Sequence, residues 1–268
     1  MRLSRIVRRA LGLGMVCAVV PALVAAQAPA PPPAAPPDVR FFSAYAFHLD
    51  AAHLASDDAR YVWDANFGGA IDLADYRTGR LQFVANYNVG LGEQVRRFDP
   101  NQGNYQLDLS ASYRLGPNEI AGVFHHLSRH LSDRPKIPSI DWNMGGVRWS
   151  RADRVGTIQV QATAQLLGAI KTTFVDYTWE GTGRVAFSAP LRPAVAVIAS
   201  GDLRVVGVDP LVAGRDRQTG WRTEGGVRLT GTGAAVELFA AAEQRIDPYP
   251  LDRTTVRWAM AGFRFVSK

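Results

Sequence analysis

From Asp38 onward the sequence predicts an all-β chain of about twelve antiparallel strands, closed into an up-and-down transmembrane β-barrel. Three observations predict it. Almost every segment alternates apolar and polar residues, the mark of a strand with one greasy and one polar face. Most of these runs reach ten residues or more, whereas soluble strands are typically about five or six and bilayer-spanning strands need about nine to eleven. The links between runs alternate long and short, as the loops and turns of barrels in the outer membrane do. Hydrophobic residues make up 47% of the 268 and the mean hydropathy is −0.06, too polar for a helical membrane protein.

Residues 1–26 read as a secretory signal. Arg2, Arg5, Arg8 and Arg9 form a basic start, an apolar run follows from Ala10 to Ala26, and Val24 and Ala26 suit cleavage before Gln27. Residues 27–38 form a Pro/Ala-rich tether, extended and semi-rigid. Residues 39–268 carry the barrel. The formal charge of +6 includes the four signal arginines, so the mature chain stands at about 6 − 4 = +2, no basis for a nucleic-acid partner. Cys17, the sole cysteine, leaves with the signal, which removes thiol and disulfide chemistry.

The strands follow in order. Val39–Leu49 puts Phe41, Tyr45, Phe47 and Leu49 on one face, with a short helix as the alternative. Tyr61–Ala74 sets Trp63, Phe67 and Ile71 against Asp64, Asn66 and Asp72. Arg80–Leu91 and Asn104–Leu115 alternate equally clearly. Glu119–Asp133 carries the polar cluster described below. Ile140–Ser150, Val155–Leu167, Thr172–Phe187, Ala194–Val206, Trp221–Thr230, Ala234–Gln244 and Thr254–Phe265 complete the set. Short turns are expected at Asp75–Gly79, Gly116–Asn118, Arg151–Arg154, Ala189–Pro193 and Gly231–Gly233. The inward faces carry both signs, Arg80, Arg114, Arg222 and Arg228 against Asp64, Asp72, Asp108, Asp176, Glu180, Glu224 and Glu237. Unpaired charges in a narrow lumen are costly, so ion pairs across it are expected. Aromatics near strand ends, Tyr61, Trp63, Tyr105, Tyr177, Trp179 and Trp221, fit interfacial girdles.

His126, Ser128 and His130 recur at every second residue of the fifth strand and so share one face. With Ala121, Val123, Leu127 and Leu131 assigned to lipid, the histidines and the serine look into the lumen. A three-residue loop at Gly116–Asn118 then sets Asp108 opposite His126; a two-residue loop reverses the face. Three uses are open. One is hydrolytic: Ser128 as nucleophile, His126 as base, and Asp108 or Asp141 orienting the imidazole. One is a structural hydrogen-bond cluster. The third is weak metal binding by His126 and His130. His125 and Arg129 fall on the opposite face, at the interface, with Arg129 either simply snorkelling or near lipid phosphate.

The run FHHLSRHLSD contains His-x-Ser-x-His-x-x-Asp as His126, Ser128, His130 and Asp133. It resembles the strand motif of a domain-of-unknown-function family of bacterial outer-membrane barrels, as does the strand pattern from about Arg60 to Ser150. That resemblance implies a barrel and supplies no activity. His126-Leu127-Ser128 also resembles, more weakly, the His-x-Ser of outer-membrane lipid A deacylases, where the pair works with a carboxylate on an acyl ester. The Asn usual after that serine is Arg129 here, and no matching downstream Glu is present.

Three function classes follow: an enzyme acting on outer-leaflet lipid esters, a structural or narrow porin-like barrel without chemistry, and a soluble periplasmic β-barrel binding a small ligand. The expected partners are outer-membrane lipid, including lipopolysaccharide, and the barrel assembly machinery during insertion; no cofactor or metal is expected.

Overall fold

The computed structural model of the chain describes residues 38–131, 139–249 and 253–267. The expected signal, nearly all of the tether and Asp133 lie outside the described residues. The strands are β1 (Arg40–Phe41), β2 (Tyr45–Leu54), β3 (Trp63–Asp75), β4 (Arg80–Gly92), β5 (Asp99–Leu115), β6 (Asn118–His130), β7 (Ile140–Val155), β8 (Ile158–Thr173), β9 (Tyr177–Arg192), β10 (Val195–Val208), β11 (Gln218–Thr230), β12 (Ala234–Ile246) and β13 (Thr255–Ser267). A single helical turn, α1 (Pro210–Ala213), interrupts one long link.

From β2 onward each strand pairs antiparallel with the next, and β13 pairs back onto β2, so the sheet closes on itself. The short β1 continues the line of β2. Both pair with β3, at Arg40↔Asp75 and Tyr45↔Ile71, and the break between them falls at Phe42, whose φ is 51°. The wall therefore has twelve strands, as the alternation predicts. Closure matters because hydrocarbon offers no partner to a free edge.

The exterior is apolar: Phe67, Leu107, Leu109, Phe124, Phe187 and Phe263 all stand exposed along its middle. The interior holds the carboxylates, with Asp64, Asp72, Asp108, Glu180, Glu224 and Glu237 all buried. A water-soluble domain buries the first set and exposes the second; this chain does the opposite, as a hydrocarbon slab demands. Among the described residues no helix is long and apolar enough to cross a membrane, so crossing falls to the strands.

The predicted pairing inside the barrel is present. Arg80 donates to Glu119 at 2.9 Å, and Arg264 reaches Glu224 at 2.9 Å and Glu237 at 2.8 Å. Arg245 on β12 reaches over to Asp64 on β3 at 2.7 Å. Two apolar clusters share the interior with these ions, one around Trp142, Met144, Leu167 and Val206, the other around Tyr61, Phe239, Trp258 and Met260. What space remains includes interior cavities of about 450 and 510 Å³.

Several expectations are corrected. Arg151–Arg154 is strand, not turn: β7 runs on to Val155 and the reversal falls at Gly156, whose φ of 62° suits glycine. Tyr61 and Tyr177 are buried, not part of a lipid-facing girdle. Tyr61 precedes β3, so the strand's period does not govern it. Tyr177 sits beside a β-bulge that pairs Trp179 with Gly207 but Tyr177 with Val208, which breaks the alternation. Its hydroxyl donates instead to Asp247 Oδ2 at 2.6 Å, inside the mouth.

Candidate functional site on the outer wall

The site depends on the turn before β6. Leu115 pairs with Asn118, so the turn is the two residues Gly116 and Pro117. Gly116 has φ 59°, the positive value that a two-residue hairpin of the II′ kind needs at its first central position, and Pro117 suits the second. The three-residue loop of the sequence reading is thus one residue too long, because Asn118 already belongs to the strand. Every side chain of β6 is reversed by that difference.

Glu119, Ala121, Val123, His125, Leu127 and Arg129 therefore line the interior, and Phe124, His126, Ser128 and His130 face lipid. Asp108 pairs with His125, not His126, and lies behind the wall where it cannot orient the outward imidazole. His125 Nδ1–H donates to Asp108 Oδ1 at 2.7 Å, both side chains buried. Arg129 is not at the lipid headgroups. It lies over the Trp142 ring, 5.2 Å from its centroid, and donates to the Asp247 carbonyl at 2.6 Å. Nearby, in the link carrying α1, Arg215 binds both Asp176 and Asp247, and these two carboxylates hold its guanidinium above the ordinary value.

On the outer face the cluster is assembled from three neighbouring strands. Ser128 pairs with Tyr105 on β5 and with Asp141 on β7. His126 pairs with Leu107 and with Asn143. His126 Nδ1 lies 2.9 Å from Asn143 Oδ1. With Nδ1–H donating to that amide oxygen, Nε2 is left with its lone pair free to accept a proton. Ser128 Oγ lies 3.3 Å from His130 Nε2. The ring of His130 meets Tyr105 edge-on, with centroids 5.3 Å apart, and Tyr105 in turn packs on Tyr87 at 4.6 Å.

Asn143 escapes sequence reasoning that looks only for a carboxylate. The signal was available: Asp141 and Asn143 share one face of a strand, two positions apart. A register shift in the β7–β8 pair falls beside Asn143, which matches Lys171 while Met144 matches Ala169. Ile170 is the extra residue, and bulges of this kind re-aim side chains next to functional sites. Of the predicted site residues, the structure thus gathers Ser128, His126, His130 and Asp141 on one patch. It separates Asp108, His125 and Arg129 from them. Among the described residues no group of three or more His, Cys, Asp or Glu side chains could hold a metal ion.

The cluster lies toward the end of the barrel that carries the links 55–62, 93–98, 131–139, 209–217 and 247–254. The opposite end carries the tight turns, among them 116–117, 156–157 and 193–194. In outer-membrane barrels the longer loops are extracellular, which sets Ser128 at the level of the outer leaflet.

These features define the class: an outer-membrane β-barrel with a polar cluster on its lipid-facing wall. Solved structures agree on the fold. The chain is similar to the outer membrane phospholipase of Salmonella typhi, solved as a dimer with bound calcium, at 12% identity and a TM-score of 0.51, covering 83% of this chain and 90% of that one. It is likewise similar to outer membrane phospholipase A from Escherichia coli, at 10% identity and a TM-score of 0.51, over 85% and 98% of the two chains. LpxR from Salmonella typhimurium matches at 9% identity and a TM-score of 0.46, over 83% and 99%. No protein-family model matches the sequence, and no curated protein matches it.

Proposed function

We propose that this barrel hydrolyses acyl esters of lipids in the outer leaflet, with Ser128 as nucleophile and His126 as general base. The observation that carries the reading is the hydrogen bond from His126 to Asn143, two residues from Ser128 on the lipid face. The bond satisfies the ring N–H and also fixes the imidazole in one tautomer. A base needs that fixing, because its free nitrogen must point at the proton it takes. Asn143 fills the place that Asp108 or Asp141 was expected to fill. Asp141 remains beside Ser128 as its cross-strand partner, where it can polarise the same patch.

The location favours lipid as substrate. A diacyl lipid diffusing in the outer leaflet presents its ester carbonyls near the headgroup boundary, the depth at which Ser128 sits. No lid or pore is required, because substrate arrives laterally along the wall. The interior of Trp142, Met144 and crossed ion pairs argues against a wide diffusion path as the main role. That two outer-membrane phospholipases share the fold is compatible with this reading, and lipid A acyl esters belong to the same substrate chemistry.

The reading is tested with detergent-purified barrel that keeps heat-modifiable migration on a gel. Release of fatty acid from phosphatidylethanolamine and from lipid A in mixed micelles is measured for wild type and Ser128→Ala. Removing a nucleophile lowers turnover by roughly 10⁴-fold or more. Equal release by both proteins would falsify the hydrolase and leave a structural barrel.

A further inference from the structure

Ser128 is flanked by two imidazoles, and the hydrolase reading above uses only one of them. We infer that His130 is the oxyanion donor of this site, its Nε2–H stabilising the charge that develops on the ester carbonyl oxygen. The inference rests on the proposed hydrolysis and adds to it a second catalytic imidazole with a different task.

Hydrogen-bond accounting at the serine leads there. A hydroxyl has one proton to give and two lone pairs to accept with. His130 Nε2 lies 3.3 Å from Ser128 Oγ. If the ring donates there, the hydroxyl proton must go elsewhere, and the candidate acceptor is His126, the preceding side chain on the same face, whose Nε2 is left open by its bond to Asn143 and would have to turn toward Oγ. The two imidazoles then act in opposite senses on one oxygen. His126 accepts, as a base; His130 donates, as an electrophile. In a tetrahedral intermediate the oxyanion and Oγ share one carbon, so a donor resting against Oγ needs only a small swing to reach the new charge.

The ring of His130 is also positioned. Tyr105, the cross-strand partner of Ser128, meets it edge-on at 79°. Tyr105 is backed by Tyr87 and Tyr87 by Phe67, a row of rings across β3, β4 and β5. Gly103, the cross-strand partner of His130, leaves the space that the Tyr87 ring occupies; a Cβ there would sit 2.6 Å from its hydroxyl. A histidine that merely happened to lie on the wall would need no such support.

The steps balance. The hydroxyl proton of Ser128 passes to His126 Nε2 as Oγ bonds to the carbonyl carbon, and the carbonyl π pair becomes the oxyanion held by His130 Nε2–H. The intermediate collapses, the ester C–O bond breaks, and His126 returns the proton to the departing alcohol. Water, deprotonated by His126, then attacks the acyl-serine. The fatty acid leaves and Ser128 recovers its proton.

The experiment compares wild type, His130→Ala, His130→Gln, His126→Ala and Ser128→Ala, all as folded barrels in mixed micelles of a defined diacyl phospholipid. Each is also tested for labelling of Ser128 by a fluorophosphonate. His130→Ala is expected to lose about 10²- to 10³-fold in kcat with KM within about threefold, the range for removing one oxyanion donor. His130→Gln, which keeps an N–H, is expected to recover at least tenfold of that loss. If His130→Ala turns over within threefold of wild type while Ser128→Ala is dead, the oxyanion role is overturned and the hydrolase stands. If His130→Ala is as inactive as His126→Ala and glutamine restores nothing, His130 is a base, and the role is again overturned. A wild type that neither hydrolyses lipid nor labels at Ser128 removes both.

Discussion

Both faces of β6 carry histidine, but the inner face alone adds an acid and an arginine, and the two faces use their polar groups differently. Inside, Glu119, His125 and Arg129 are each locked to a partner on another element: Arg80, Asp108 and the Asp247 carbonyl. Outside, His126 meets Asn143 on β7, His130 meets Tyr105 on β5, and Ser128 and His130 meet each other. The interior groups hold a narrow lumen together, where a lone charge is expensive. The exterior groups are tied less firmly, by one bond from His126 to Asn143 and one contact between Ser128 and His130. Polar side chains held so loosely on a lipid-facing wall are the stronger candidates for chemistry.

That contrast can be broken on either face. Of three changes that do so without removing the serine or either outer imidazole, the largest effect is expected from Asn143→Ala, which frees the His126 ring without touching the interior. Turnover should fall on the order of 10²-fold, about 2.7 kcal/mol of barrier, with the unfolding midpoint in urea nearly unchanged. An unaltered rate would return His126 to the structural class. Asp108→Leu tests the other face. It strands His125 in the interior and should cost about 1–3 kcal/mol of stability. Fatty-acid release by the folded fraction should remain at the wild-type level, and a collapse of activity would show that the two faces are not independent. The smallest effect concerns the link after β2, where Arg60 donates to both Asp58 oxygens at 3.1 and 3.0 Å. This contact holds the Asp58 carboxyl below its ordinary value. A depressed carboxyl stabilises the fold above its unfolded-state value, and the contribution fades as pH falls through the depressed one. Melting curves of Asp58→Asn and wild type should therefore differ slightly at neutral pH and converge in acid.

Much of the architecture was legible in the sequence because a membrane wall enforces period two without relief. Phe67 against Asp64, and Phe263 and Phe265 against Arg264, can be sorted by eye. Closure and the alternation of link lengths followed from the same pattern. The misreadings lie where the period is interrupted. The bulge beside Trp179 turned Tyr177 inward, and Tyr61 sat just outside its strand. The reversal of β6 was the costliest. Its outward set, Phe124, His126, Ser128 and His130, looks more polar than the inward Ala121, Val123 and Leu127. Sorting by polarity therefore assigned the faces the wrong way round. The inner apolar residues pack on Trp142 and Met144, an interior cluster that no local pattern announces. The partner of His126 is not legible in the sequence for a chemical reason: a neutral amide orients an imidazole as a carboxylate does, and Asn143 carries no charge to single it out.

The Gly116–Pro117 reversal acts as an evolutionary switch. Adding a single amino acid there, at the periplasmic rim, would rotate the whole strand by half a turn. His126, Ser128 and His130 would vanish into the channel, and Arg129 would be thrust into hydrocarbon. A deletion or duplication of one codon, far from the His126–Ser128–His130 patch, thus separates this wall from a chain the bilayer would reject.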